Sequence, residues 1–283
     1  MIDRLLLVTT GTALGLAAVV QGGELFQLRW RPTRHTAAAL AVGMLAGVFS
    51  TTALTVPRGS FAYGMILWCL IFGLCGFTLP WAYVLLVEKG TLVELGIHKN
   101  RWVLSLLVSF LFAGASVYGI LQRADLSRYD PKQLLGAALS LNVGGLFELF
   151  LYYGFIHLRL RKAFGSLPAI VGTAAVYSLW HVGTELPLHA EPMAALTMLF
   201  LVGVMCQSVF AITYNCLAIW PFFFTAGVMY DFIVNLDLPE EVGGTPTWPI
   251  FGWALALSVP WTIWRYSRVR GVAERSHPTM GSS

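Results

Sequence analysis

Long runs of uncharged apolar residues, broken by short polar segments, extend along the whole chain. Nine of them reach or approach the roughly 18 to 20 residues that a helix needs to cross a hydrocarbon core. They cover residues 5–20, 36–56, 61–87, 102–121, 133–158, 167–183, 192–213, 215–236 and 248–264, the first and sixth being the weakest. The pattern predicts an all-α fold: a polytopic transmembrane helical bundle of about eight or nine spans. The longest interruptions, 88–101, 122–132 and 237–247, are too short to fold alone, and no internal repeat is visible. Residues 1–271 therefore read as a single integral membrane domain. The polar segment 272–283 reads as a disordered tail.

The first run also has a feature of a secretory signal, since Arg4 precedes its apolar stretch. Against this, Asp3 comes before it, and Val19-Val20-Gln21-Gly22 lacks the small-residue pattern of a cleavage site. The segment is expected to remain as a span.

Composition agrees with the run pattern. The chain of 283 residues is 57% hydrophobic and only 11% charged, against about 25% charged in soluble domains. The basic residues are unevenly placed. Arg29, Arg31 and Arg34, then Lys89, Lys99 and Arg101, then Arg159, Arg161 and Lys162, and finally Arg265, Arg268, Arg270 and Arg275 all fall after odd-numbered spans. By the positive-inside rule those loops are cytoplasmic, with the amino terminus outside and the carboxyl terminus inside. The net charge of +4 is accounted for by these flanks facing the lipid bilayer, and it calls for no nucleic-acid partner. The four cysteines lie in or at the ends of spans without metal-like spacing and read as packing residues.

Ionisable side chains deep in spans are the informative exceptions, because each costs several kcal/mol in hydrocarbon. Span 5 holds Glu148, span 6 His181 and span 8 Asp231. Counted from the cytoplasmic ends, they lie roughly 16, 21 and 24 Å deep at about 1.5 Å per residue, so one layer can hold all three. Spans 5 and 6 form a hairpin around Gly165, which makes Glu148 and His181 neighbours. Gly144 and Gly145 share the Glu148 face, and Tyr177 and Ser178 share that of His181. His157, close to Arg159, is expected to reach the interface. A carboxylate beside an imidazole in a low dielectric suits activation of water. A buried structural cluster, or a proton pathway of a small transporter, uses the same residue types. The group His181, Glu185, His189 and Glu191 has metal-like composition. Pro187 interrupts it, most of it lies at the outer edge, and no HExxH pattern is present, so neither a metal nor another cofactor is expected.

At these residues the chain resembles the CAAX-protease and bacteriocin-processing-enzyme family of intramembrane glutamic proteases. That family carries Glu-Glu-x-x-x-Arg-Gly on one helix, Phe-x-x-x-His on the next and His-x-x-x-Asn later. Here the corresponding stretches are Glu148-Leu-Phe-Leu-Tyr-Tyr153-Gly154 ahead of a basic run, Tyr177-Ser-Leu-Trp-His181, and Gly227-Val-Met-Tyr-Asp231. The resemblance covers a core of about residues 133–236. It implies an endopeptidase in which Glu148 activates water with His181 as partner and Asp231 as substitute third-site residue. Tyr153, Gly227 and Asn235 are the implied substrate-binding positions. The implied substrate is a membrane-anchored or lipidated protein or a precursor peptide, and the implied setting is the bacterial inner membrane. The departures are specific. Leu149 and Tyr153 stand where the family has a Glu and an Arg, so both members of a possible ion pair are missing together. Gly227 and Asp231 stand where it has the His and Asn that help hold an oxyanion. An ionised Asp231 would repel that charge, and only a protonated one would help. The alternative reading is a non-catalytic partner-binding, immunity or regulatory member.

Overall fold

The structure is a computed structural model and describes residues 4–235, 254, 258 and 261–265. Most of the ninth run, the 237–247 loop and the tail lie outside the described residues. Among those described, helices are the only regular structure. We label them α1 (Arg4–Gln21), α2 (Arg34–Ala53), α3 (Phe61–Val87), α4 (Trp102–Arg123), α5 (131–164), α6 (Ser166–Trp180), α7 (Pro192–Thr213) and α8 (222–235). Among the described residues five helices, α1 to α4 and α7, are long and apolar enough to cross a membrane, while α6 is a shorter apolar helix. The outer face of α4, with Leu107, Phe110, Leu111 and Tyr118, stays exposed, as a lipid-facing surface would.

Local chemistry sets the helix starts. Thr33 and Thr36 form a reciprocal capping box at the start of α2. Asp130 accepts from Lys132 N ahead of Pro131 at the first position of α5, and Pro192 stands at the first position of α7 without a side-chain cap before it. At about 1.5 Å per residue α5 runs roughly 50 Å. Its middle, Leu149–His157, is wound as a π-helix beginning directly after Glu148, and such widened turns often mark functional positions. Gly154, within this stretch, permits a close crossing: a Cβ there would sit 2.5 Å from the Leu95 carbonyl oxygen.

Two faces of the bundle emerge from the loop contacts. On one, Arg29 N and Arg31 N donate to Phe164 O and Ala163 O, Cys216 N donates to Gly96 O, and Asn215 Nδ2 donates to His98 O and Asn100 O. Gly165, at φ +99°, turns α5 into α6 against the Gln27 carbonyl. The segments following α1, α3, α5 and α7 thus gather together, as the charge bias anticipated. On the opposite face Ser50, near the end of α2, bonds the Trp180 carbonyl and accepts from Gly183 N, and Arg58 donates to Thr184 O.

Burial overturns two expectations. His157 does not reach an interface: it is fully buried, with Nδ1 2.8 Å from Gln207 Oε1. Arg159 is not a headgroup-facing charge but is 4% exposed. Its Nε and Nη2 clasp both Glu88 carboxylate oxygens, its Nη1 reaches the carbonyls of Glu94, Gly154 and Phe155, and it stacks on the Phe155 ring. The π-wound stretch brings open carbonyls and the Arg fork together there, which a hydropathy pattern does not register.

Candidate active site

The site lies in the half of the bundle away from the basic loops. Helices α5 and α6, antiparallel through the Gly165 turn, carry Glu148 and His181. Phe72 and Phe77 of α3 pack on Phe147, and Trp180 packs on Phe72, which fixes the backbone on either side of the pair. His181 Nδ1 lies 2.9 Å from the Tyr177 carbonyl. A carbonyl only accepts, so Nδ1 carries the proton and Nε2 faces the carboxylates. His181 Nε2 stands 4.0 Å from Glu148 Oε1 and 3.5 Å from Glu185 Oε2. Four ångströms is too long for a direct hydrogen bond but spans one bridging water: with arms of about 2.8 Å the angle at that water is about 90°. Glu148 and His181 therefore flank a position that one water can bridge.

Glu185 extends the site. It follows α6 in a turn where Glu185 N and Leu186 N both bond the His181 carbonyl, which sets Glu185 one turn above the histidine. Its other oxygen is 3.4 Å from His189 Nε2, and its carboxyl is hydrogen-bonded to that of Asp231. Two carboxyl groups bonded in this way share one proton. So Glu148, His181 and Asp231, picked out by depth in the sequence, belong to one cluster, with Asp231 joined through Glu185. Sequence reasoning gave Glu185 only a place in a metal-like group at the outer edge. The i, i+4 spacing of His181, Glu185 and His189 was the usable signal. Among the described residues no group of three or more His, Cys, Asp or Glu is arranged to hold a metal ion.

The remaining predicted positions are less directly placed. Tyr153 is fully buried, its ring against Phe210 and Phe223 and its hydroxyl beside the Cys206 thiol. Leu149, at the other departure, is also in the core. Gly227 faces its own helix: a Cβ there would meet Phe223 at 3.3 Å and Phe222 O at 3.4 Å. The Asn235 side chain lies outside the described part of the chain. Comparison with models of known protein families, with curated proteins and with solved structures finds no match.

Glu185 sits past the end of α6, and burial pushes its carboxyl up to about 7 from the ordinary 4.5. The hydrogen bond from Asp231 and the charge of Arg58 act in the lowering direction, and the charge of Glu148 acts in the raising one. His181 and His189 face it as well. A raised carboxyl takes up a proton on folding between the unfolded and folded values. Its contribution to stability is therefore complete below about pH 4.5 and is lost as the pH rises through about 7. The thermal midpoint of the solubilised protein is expected to fall between pH 5 and pH 8, and Glu185→Gln is expected to flatten that slope. An unchanged slope in the variant would assign the effect to other groups.

Proposed function

We propose that the chain is an intramembrane peptidase that hydrolyses a peptide bond of a membrane-anchored or lipidated protein or precursor peptide. Glu148 is the general base toward water, and His181 holds and polarises that water from the other side. The single observation that carries the reading is the 4.0 Å pairing of Glu148 Oε1 with a His181 Nε2 whose other nitrogen is fixed by the Tyr177 carbonyl. The stretches that resemble the CAAX-protease and bacteriocin-processing-enzyme family support it. On this reading the chain has about eight or nine spans, lies in a bacterial inner membrane and keeps its carboxyl terminus in the cytoplasm. The cluster runs from Glu148 through His181 to Glu185 and His189, toward the end marked by Arg58. Substrate therefore enters from the face opposite the basic loops.

A second reading, a non-catalytic binding or regulatory protein, is favoured by one observation. Asp231 is engaged with Glu185 and Gly227 has no side chain, so the family's third-motif donors have no counterpart at those positions. The two readings separate in a comparison of wild type, Glu148→Gln and His181→Ala, expressed equally in membranes. Protein termini of the membrane fraction are read by mass spectrometry. Termini that vanish in both variants support the peptidase. Identical termini from folded variants sink it.

A further inference from the structure

The missing oxyanion donor has a candidate that the motif comparison does not point to. Tyr152 follows Glu148 by four residues on the same face of α5, is 1% exposed, and its hydroxyl has no hydrogen-bond partner among the described residues. Its ring lies edge-on to Tyr177 at 5.5 Å, and the Tyr177 ring is tilted against that of His181 at 4.4 Å. The two tyrosines thus floor the Glu148–His181 pair, one turn nearer the basic loops. Trp180, beside His181 and 3% exposed, likewise has an indole N–H with no partner. Buried donors without partners are rare in folded chains, because each forfeits hydration without a replacement. Several other buried side-chain polar atoms among the described residues also lack a partner, and Tyr152 and Trp180 are two that neighbour the carboxylate–imidazole pair, where an acceptor arriving with a substrate would be held.

Resting on the peptidase reading, we propose that the Tyr152 hydroxyl is a catalytic residue that donates a hydrogen bond to the scissile carbonyl oxygen as it becomes an oxyanion. The step is ordinary hydrolysis. Glu148 takes a proton from water, and the water oxygen bonds to the carbonyl carbon. The carbonyl π electrons move onto oxygen, where Tyr152 donates a hydrogen bond and keeps its proton. On collapse the carbon–nitrogen bond breaks, and Glu148 returns its proton to the leaving amine. The products are a carboxylic acid, which ionises, and an amine. A neutral phenol does here what an ionised Asp231 would oppose.

Tyr152→Phe tests this, since it removes one oxygen and keeps the ring contact with Tyr177. The probe is a mixed-sequence library of internally quenched peptides with an amino-terminal palmitoyl chain, incubated with the full chain in proteoliposomes. The expected result is a kcat lowered about 10²- to 10³-fold, with KM within about twofold and a thermal midpoint unchanged or raised. A wild-type kcat in Tyr152→Phe, while Glu148→Gln is inactive, overturns the proposal and leaves the peptidase reading standing. A lost rate accompanied by a lowered thermal midpoint also overturns it, because the hydroxyl is then structural. Absence of cleavage by the wild type across the library overturns both readings.

Discussion

Glu148→Gln is expected to lower the cleavage rate at least about 10³-fold while leaving the amount and fold of the protein unchanged. A positioned general base contributes about 10² to 10⁴ in rate, and Gln keeps the shape of Glu while losing the basic oxygen. Glu148 is paired with His181 only across 4.0 Å, so no close ion pair is broken and no partner charge is stranded. Removing a carboxylate from the interior relieves desolvation, and the thermal midpoint of the variant is expected to equal or exceed that of wild type. His181→Ala acts on the same water. The double variant should therefore be about as slow as the slower single, far from the product of the two losses. Single-turnover rates on a cleaved peptide check this, and a Glu148→Gln rate within tenfold of wild type would remove Glu148 from the role of base.

The largest effect on stability is expected at Arg159. Its guanidinium holds the Glu88 carboxylate and three carbonyls in a setting where only 4% of the residue is exposed. Arg159→Met leaves Glu88 without its buried partner and strips the Glu94 carbonyl of its side-chain donor, at a cost of about 3 to 5 kcal/mol. His35, 3.3 Å from Glu88, compensates in part when protonated. Arg159→Lys should recover less than half, because an ammonium cannot span two carboxylate oxygens and the Gly154 and Phe155 carbonyls at once. Combining Arg159→Met with Glu88→Gln should cost less than the sum of the single changes, since no charge is then left alone. Reversible unfolding in mixed micelles measures all four variants. A loss below about 1 kcal/mol for Arg159→Met would mean that the pair is solvated.

The helical, membrane-embedded class was legible in the sequence because hydropathy depends on what each residue is and hardly on what it touches. The grouping of the segments after α1, α3, α5 and α7 on one face was legible for the same reason, because successive spans alternate in direction. Glu148, His181 and Asp231 stood out because a titratable group far from a span end is costly wherever it points. Contact was a different matter. The same Lys and Arg count that marks a topology flank could not separate Arg159, folded inward onto Glu88, from Lys162, which pairs with Glu94 at the surface. Nor could proximity to Arg159 show that His157 turns inward to Gln207. The turn after α6 folds Glu185 back between His181, His189 and Asp231, and its role depends on that path. Tyr152 read as one more aromatic in an apolar run, and only the packing of α5 on α6 leaves its hydroxyl buried, one turn from Glu148 and without a hydrogen-bond partner among the described residues. The chain by itself determined which groups are expensive to bury. The tertiary structure decided which of them share that cost, because hydrogen bonds and ion pairs act over a few ångströms, and Glu88 with Arg159, His157 with Gln207 and Glu148 with His181 are tens of residues apart in the chain.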